Sequence, residues 1–229
     1  MIRFAVLISG RGSNMAYLAD AIKDYSIAAI ITVVISNRNC AGIALAKDRG
    51  IPTRVIKREN FDTQAEHEAA IATAIYYYRS KYVFLAGYMA ILSNDFVNQF
   101  AGLIINIHPS LLPAFKGLNT HQRAIDENAK THGVSVHMVT AMLDEGPIIA
   151  QASLSLTGSD TAESLAARVL QLEHQIYPFV LYGLVKKFLS LSPEGARWRA
   201  PSSALANAPA PMQDLLAQCL IWPPRTSEE

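Results

Sequence analysis

An asparagine and a histidine stand two residues apart in an apolar stretch, where residues 105–113 read INIHPSLLP. Positions i and i+2 of a strand point to the same face, so the amide of Asn106 and the imidazole of His108 are predicted to lie side by side. Pro109 cannot donate to a sheet ladder and indicates that the strand stops there. Such a pair can polarise a carbonyl and move protons. The alternative is a strand-end asparagine and a half-buried structural histidine.

Asp144, in the segment LDEGP at residues 143–147, is the third candidate catalytic residue. A carboxylate close to His108 would favour the protonated imidazole and orient it, which suits a general acid at neutral pH. The alternative is an ordinary turn aspartate.

A glycine-containing turn, GRGSN at residues 10–14, lies between an apolar run and a helical pattern. Backbone N–H groups and a hydroxyl at the start of a helix suit a phosphate group. The turn lacks the third glycine of a dinucleotide fingerprint and the lysine of a nucleotide P-loop. A purely structural turn is the alternative.

The elements that must position these residues alternate between strands and helices. This alternation predicts an α/β fold with a mostly parallel twisted sheet and helices on both faces. Ligands on such sheets bind beyond the carboxyl ends of the strands, so residues 9–14, residues 87–92 and His108 are predicted to share a cleft. The predicted strands are residues 3–9, 27–36, 53–56, 82–86 and 103–107, and the predicted helices are residues 14–23, 41–49 and 61–79.

The second half continues with a helix near residues 120–128, strands at 134–140 and 148–154, and a long helix at 161–189. We expect a domain over residues 1–190. Residues 191–229 are rich in Ala, Pro and Ser and are predicted to form an extended tail, packed on the domain or partly mobile. Within the tail, residues 212–222 are apolar enough to dock as a short helix.

Composition restricts the class of partner. The chain has 229 residues, a formal net charge of +1 and 51% hydrophobic residues. This balance argues against nucleic acid and anionic membranes, which need clustered cations, and favours small-molecule substrates. No apolar run approaches the length of a membrane span. Cys40 and Cys219 and the scattered histidines lack metal-ligand spacing. We therefore expect a cytoplasmic protein without a metal. The sequence leaves a monomer and a homodimer both open.

Five ordered segments carry a resemblance to a known family: residues 5–14, 85–89, 105–113, 133–137 and 143–147. In this order they resemble the phosphoribosylglycinamide formyltransferases of purine synthesis, which belong to the wider folate-dependent formyltransferases. The resemblance implies a Rossmann-like formyltransferase fold and a catalytic triad of Asn106, His108 and Asp144. It also implies direct formyl transfer from 10-formyltetrahydrofolate to the amine of phosphoribosylglycinamide through a tetrahedral intermediate, without a metal.

The resemblance further implies two sets of binding residues. Those for the phosphoribosylglycinamide are Gly12, Ser13, Asn14, Pro109 and Glu173, and those for folate are Gln64, Met89, Ala90, Ile91, Leu92 and Asn106. The chain departs from the family at Gln64 and Ala90, where relatives carry arginine, and at Asn119 and Leu170 near the acceptor. Two alternatives remain: a formyltransferase for another amine, such as an amino sugar or aminoacyl-tRNA, and a folate-binding paralogue with little turnover.

Overall fold

The structure is a computed structural model that describes residues 1–222, so the last seven positions of the predicted tail lie outside the described residues. The chain divides into two compact units, the first ending at Asn106 and the second beginning at Ile107. The main sheet has eight strands.

The first unit is a parallel α/β sheet. Its strand order is β5-β4-β1-β2-β3, and every neighbouring pair is parallel. Its strands are β1 (Ile2–Ile8), β2 (Ala29–Ser36), β3 (Thr53–Val55), β4 (Tyr82–Leu85) and β5 (Ile104–His108), the last of which crosses into the second unit; its α-helices are α1 (Ser13–Asp24), α2 (Ala41–Asp48), α3 (Gln64–Tyr77) and α4 (Asn94–Gln99).

The apolar runs form this sheet because both of its faces are covered. Residues 4–8 of β1 are fully buried, as are residues 33–35 of β2. Helix α3 begins in a capping box, in which the side chains of Thr63 and Glu66 bond each other's backbone N–H groups. Helix α4 has no apolar periodicity in its sequence, and its start is marked by Ser93 accepting from the N–H of Phe96.

Strand β1 marks the point where the strand order changes direction. It pairs with β2 on one side and with β4 on the other, with Val6 opposite both Val34 and Phe84. In open α/β sheets a crevice forms at the carboxyl ends of such strands and receives ligands. Here a hydrogen bond joins the segments that follow β1 and β4, because the N–H of Ser9 donates to the carbonyl of Gly87 over 3.0 Å.

The second unit is antiparallel. Strand β7 lies between β6 and β10 and is antiparallel to both, and β8 and β9 form a separate hairpin. Its helices are α5 (Thr120–Asp126), α6 (Ala162–Val185), α7 (Pro201–Ala206) and α8 (Ala210–Cys219), and its strands are β6 (Thr131–Met138), β7 (Ile148–Ser155), β8 (Leu189–Ser192), β9 (Gly195–Trp198) and β10 (Leu220–Trp222).

The predicted fold class is confirmed: the sheet is mostly parallel, with helices around it. The predicted extended conformation of residues 200–211 is wrong, because α7 and the start of α8 are helical there. Proline occupies the first turn of both helices, where its missing N–H has no cost, so a proline-rich composition marked helix starts rather than extended chain. Helix α8 packs on α6. The division at residue 190 stays a prediction.

Candidate active site

His108 lies at the end of β5 with acceptors at both ring nitrogens. Its side chain is 8% exposed, and Nδ1 lies 3.5 Å from Oδ2 of Asp144. Its Nε2 lies 3.0 Å from the carbonyl oxygen of Phe115. A carbonyl only accepts, so Nε2 carries the proton in this contact. The carboxylate of Asp144, which faces the other ring nitrogen, is also only an acceptor.

Asp144 accepts a backbone hydrogen bond from the segment that follows β5. The N–H of Gly117 donates to Oδ2 over 2.9 Å. Asp144 itself adopts a left-handed conformation with φ of 53°, which aspartate tolerates better than most residues. Two residues later, a Cβ on Gly146 would lie 1.8 Å from the carbonyl oxygen of Met138. Only glycine therefore allows the loop to return onto the end of β6 and bring Asp144 to His108.

His137, which the sequence did not single out as a catalytic residue, faces the other carboxylate oxygen. Its Nε2 lies 3.6 Å from Oδ1 of Asp144, beyond direct hydrogen-bonding distance. Its Nδ1 lies 2.9 Å from the carbonyl of Met138. Burial lowers the pKa of His137, so the ring is neutral at neutral pH. His137 therefore places no positive charge beside Asp144.

A histidine pair packs beside this site. Nδ1 of His121 lies 3.1 Å from Nε2 of His132, and the ring of Phe115 meets His132 edge-on. Burial, with a smaller contribution from His121, lowers the pKa of His132 to about 4. Burial also lowers the pKa of His121. The pair is therefore uncharged at neutral pH, and protonating either ring lowers the free energy of unfolding.

We expect acid to destabilise the protein through His132. In the unfolded chain this ring takes up a proton below its ordinary pKa of about 6.5, whereas the folded ring does so only near 4. The free energy of unfolding should therefore fall as pH falls from 6.5 towards 4, by on the order of 1 kcal/mol between pH 7 and pH 5 once screening is allowed for. Urea unfolding at both pH values measures this loss. In His132→Gln the loss should be smaller; an unchanged loss would contradict the assignment.

The glycine turn of residues 10–14 runs into α1, which begins at Ser13. Gly12 precedes the helix with φ of 76°, and the helix start has neither a side-chain cap nor an acidic residue in its first turn. Uncapped N–H groups at the positive end of a helix attract an anion. Gly12 also permits close packing, because a Cβ there would lie 2.7 Å from the Cα of Gly42.

We expect Gly12→Ala to destabilise the protein by about 2–5 kcal/mol, since the added methyl group combines a left-handed strain with a steric clash. Gly50→Ala is the matched control, because Gly50 has a similar φ of 69° but a Cβ added there would meet nothing within 4 Å. The free energy of unfolding of Gly50→Ala should fall by only about 1–2 kcal/mol. Urea denaturation measures both values. Equal losses would show that the approach to Gly42 is unimportant.

Residues 89–92, the predicted folate segment, are fixed by hydrogen bonds at Met89, at Ile91 and at the adjoining Ser93. Oγ of Ser9 accepts from the N–H of Met89 over 2.8 Å. Nε2 of Gln64 donates both to Oε1 of Glu68, over 2.9 Å, and to the carbonyl of Ile91, over 3.0 Å. The N–H and hydroxyl of Ser93 both donate to Glu68. The segment is thus held by its backbone.

Two apolar side chains of this segment are exposed and could contact a ligand. Met89 is 63% exposed and Ile91 is 74% exposed, and a bound planar heterocycle could cover such apolar groups. Glu68, which anchors the segment, is only 5% exposed, and the sequence pattern did not single it out. Burial, followed by the charge of Glu68, raises the pKa of Tyr88 to about 12. An acidic residue within an apolar helix face was the one sequence signal for this anchor.

The remaining predicted residues occupy the following positions. Asn106 lies two residues before His108 on β5. The carbonyl of Pro109 accepts from Oγ1 of Thr120 over 2.7 Å. Glu173 lies on α6 and is only 9% exposed.

Residues 1–222 contain no group of three or more His, Cys, Asp or Glu side chains placed to hold a metal ion. Within the same range, none of the helices has both the length and the apolar character that crossing a bilayer requires.

Comparison with known proteins decides the family. The Formyl transferase family model matches residues 2–181. The chain belongs to this family. The phosphoribosylglycinamide formyltransferase of Escherichia coli K12 is 39% identical over 198 residues, covering 86% of this chain and 93% of that protein. The Haemophilus influenzae enzyme of the same name is 43% identical over 182 residues, covering 79% of this chain and 86% of that protein.

Solved formyltransferase structures share the fold. The phosphoribosylglycinamide formyltransferase of Coxiella burnetii matches with a TM-score of 0.83 and 43% identity, covering 86% of this chain and 93% of that one. The family match ends at residue 181, within α6. The hairpin β8–β9 and the elements α7, α8 and β10 therefore lie beyond the part that the family model describes.

Proposed function

We propose that this formyltransferase transfers the formyl group of 10-formyltetrahydrofolate to the primary amine of phosphoribosylglycinamide, a step of purine synthesis in one-carbon metabolism. The observation that carries the proposal is the contact between His108 and Asp144 at 3.5 Å. His108 follows Asn106 by two residues on β5. The proposal is supported by two relatives named phosphoribosylglycinamide formyltransferase, because this chain covers 93% and 86% of their lengths.

The proposed chemistry needs no covalent enzyme intermediate. The neutral amine attacks the formyl carbon, the carbonyl oxygen becomes an oxyanion, and the folate nitrogen leaves after it is protonated. Asn106 and the protonated His108 stabilise the oxyanion, because donors aimed at developing charge favour the transition state. Asp144 keeps His108 charged and oriented. The protons lost by the amine and gained by the folate nitrogen balance.

The binding residues divide between the two substrates. Gly12, Ser13 and Asn14 bind the phosphate at the start of α1, and Pro109 and Glu173 contact the remainder of the acceptor. Met89, Ala90, Ile91 and Leu92 line the pteridine site with Asn106, and Gln64 acts on it through the carbonyl of Ile91. We also propose that the enzyme is cytoplasmic and acts on small molecules. It would function as a monomer or a homodimer.

An absorbance assay of folate product release tests the proposal with phosphoribosylglycinamide, an amino sugar phosphate and aminoacyl-tRNA as acceptors. Turnover only with phosphoribosylglycinamide supports it. Turnover with another amine assigns a different acceptor. Folate binding without turnover on any acceptor would identify a binding paralogue, the alternative that Gln64 and Ala90 suggest.

A further inference from the structure

Residues 89–92 have little structure of their own to fix their backbone. They contain neither a helix nor a strand, and the side chains of Met89 and Ile91 are mostly exposed. A segment with few buried apolar contacts is held only weakly by packing. The shape that this segment presents to a ligand therefore depends on its hydrogen bonds to neighbouring elements.

Two of the three points that hold the segment converge on one carboxylate. Nε2 of Gln64 lies 2.9 Å from Oε1 of Glu68 and 3.0 Å from the carbonyl oxygen of Ile91, so its two protons serve both acceptors. The N–H of Ser93 donates to the same Oε1 over 2.8 Å, and the hydroxyl of Ser93 donates to Oε2. Glu68 thus fixes Ser93 directly and Ile91 through Gln64.

Helix α3 supplies a fixed base for this arrangement. Gln64 and Glu68 are four residues apart on α3, so they lie on the same face one turn apart. The helix start is secured separately by the capping box of Thr63 and Glu66. Glu68 is only 5% exposed, so removing its oxygens would leave polar groups of Ser93 without their acceptor.

The sign of the charge excludes direct attraction as the role of Glu68. A folate donor is an anion, and a nearby carboxylate repels it. Within residues 1–222 no cation forms a salt bridge with Glu68 that could reverse this effect. Any contribution of Glu68 to donor binding must therefore come from the geometry that it imposes on residues 89–92.

We propose that Glu68 and Gln64 are positioning residues for the formyl donor: together they set the backbone of residues 89–92 and thereby the affinity for folate. The inference rests on the proposed function, because it takes these residues as the folate segment. It also gives Gln64 a role of its own. The amide bonds within the protein, at a position where relatives carry an arginine.

The test measures the dissociation constant of tetrahydrofolate by calorimetry in two variants. Gln64→Met keeps the length of the side chain but removes both donors, and it should weaken binding about three- to ten-fold, as expected for one lost hydrogen bond. Glu68→Ala removes both connections and should weaken binding at least ten-fold, whereas loss of a repelling charge alone would tighten it. In steady-state assays KM for the donor should rise in parallel, and KM for phosphoribosylglycinamide should stay within about two-fold.

Two further variants separate positioning from general stability. Glu68→Gln keeps an oxygen for the N–H of Ser93 and should stay within about three-fold of wild type. Glu66→Ala is the matched control, because it removes the capping-box carboxylate from the same turn of α3, and it should bind tetrahydrofolate as the wild type does. Gln64 is exposed, so Gln64→Met decides the question even if Glu68→Ala does not fold.

Unchanged affinity in Gln64→Met, tighter binding in Glu68→Ala, or an equal loss in Glu66→Ala would overturn the positioning role and leave the proposed function standing. Failure of the wild-type protein to bind tetrahydrofolate would overturn both.

Discussion

His108→Ala and Asp144→Asn should each lower turnover by roughly two or more powers of ten, the usual contribution of one positioned acid or base. His108→Ala removes the imidazole at the end of β5. Asp144→Asn keeps the shape of the side chain but removes the charge that faces Nδ1 of His108 at 3.5 Å. Steady-state assays with phosphoribosylglycinamide and 10-formyltetrahydrofolate measure both effects.

The loss should appear in kcat and in kcat/KM alike, since these groups act mainly in the transition state. His67→Asn is the matched control: this histidine is also buried, but it contacts the carbonyl of Ile56 in the first unit. It should keep turnover within a few-fold of wild type. Thermal unfolding checks that every variant folds. Turnover close to wild type in His108→Ala or Asp144→Asn would remove the proposed roles.

Ser13→Asp should raise KM for phosphoribosylglycinamide at least ten-fold and change KM for the folate donor little. The new carboxylate would stand in the first turn of α1, where the uncapped N–H groups are proposed to hold the phosphate. It would repel the phosphate and compete for the same donors. Initial rates with each substrate varied in turn measure the two constants.

Ser13→Asn serves as the neutral control, because asparagine is close to aspartate in size and also suits a helix start. It should raise KM for the acceptor by only a few-fold. If Ser13→Asp affects both substrates equally, or neither, then the turn at residues 10–14 is structural and the phosphate is bound elsewhere.

The predicted strands and helices of the first unit agree with the structure to within about three residues, because apolar runs and helical periodicity reflect burial on local elements. The second unit was harder to predict. Helices α7 and α8 carry proline in their first turns, and this composition suggested extended chain. The hairpin β8–β9 was not predicted. Short elements of this kind depend on the surfaces they pack against more than on their own residue pattern.

The sequence alone determined the parallel α/β class, the glycine turn before α1 and the candidates Asn106, His108 and Asp144, since strand periodicity, turn chemistry and motif order are properties of neighbouring residues. Only the tertiary structure decided which groups meet. The contact between His108 and Asp144 depends on a loop that Gly146 allows to return to Met138. The anchoring of the proposed folate segment at the adjoining Ser93 depends on the buried carboxylate of Glu68. Partners far apart along the chain leave no periodic signal, because their approach is set by packing.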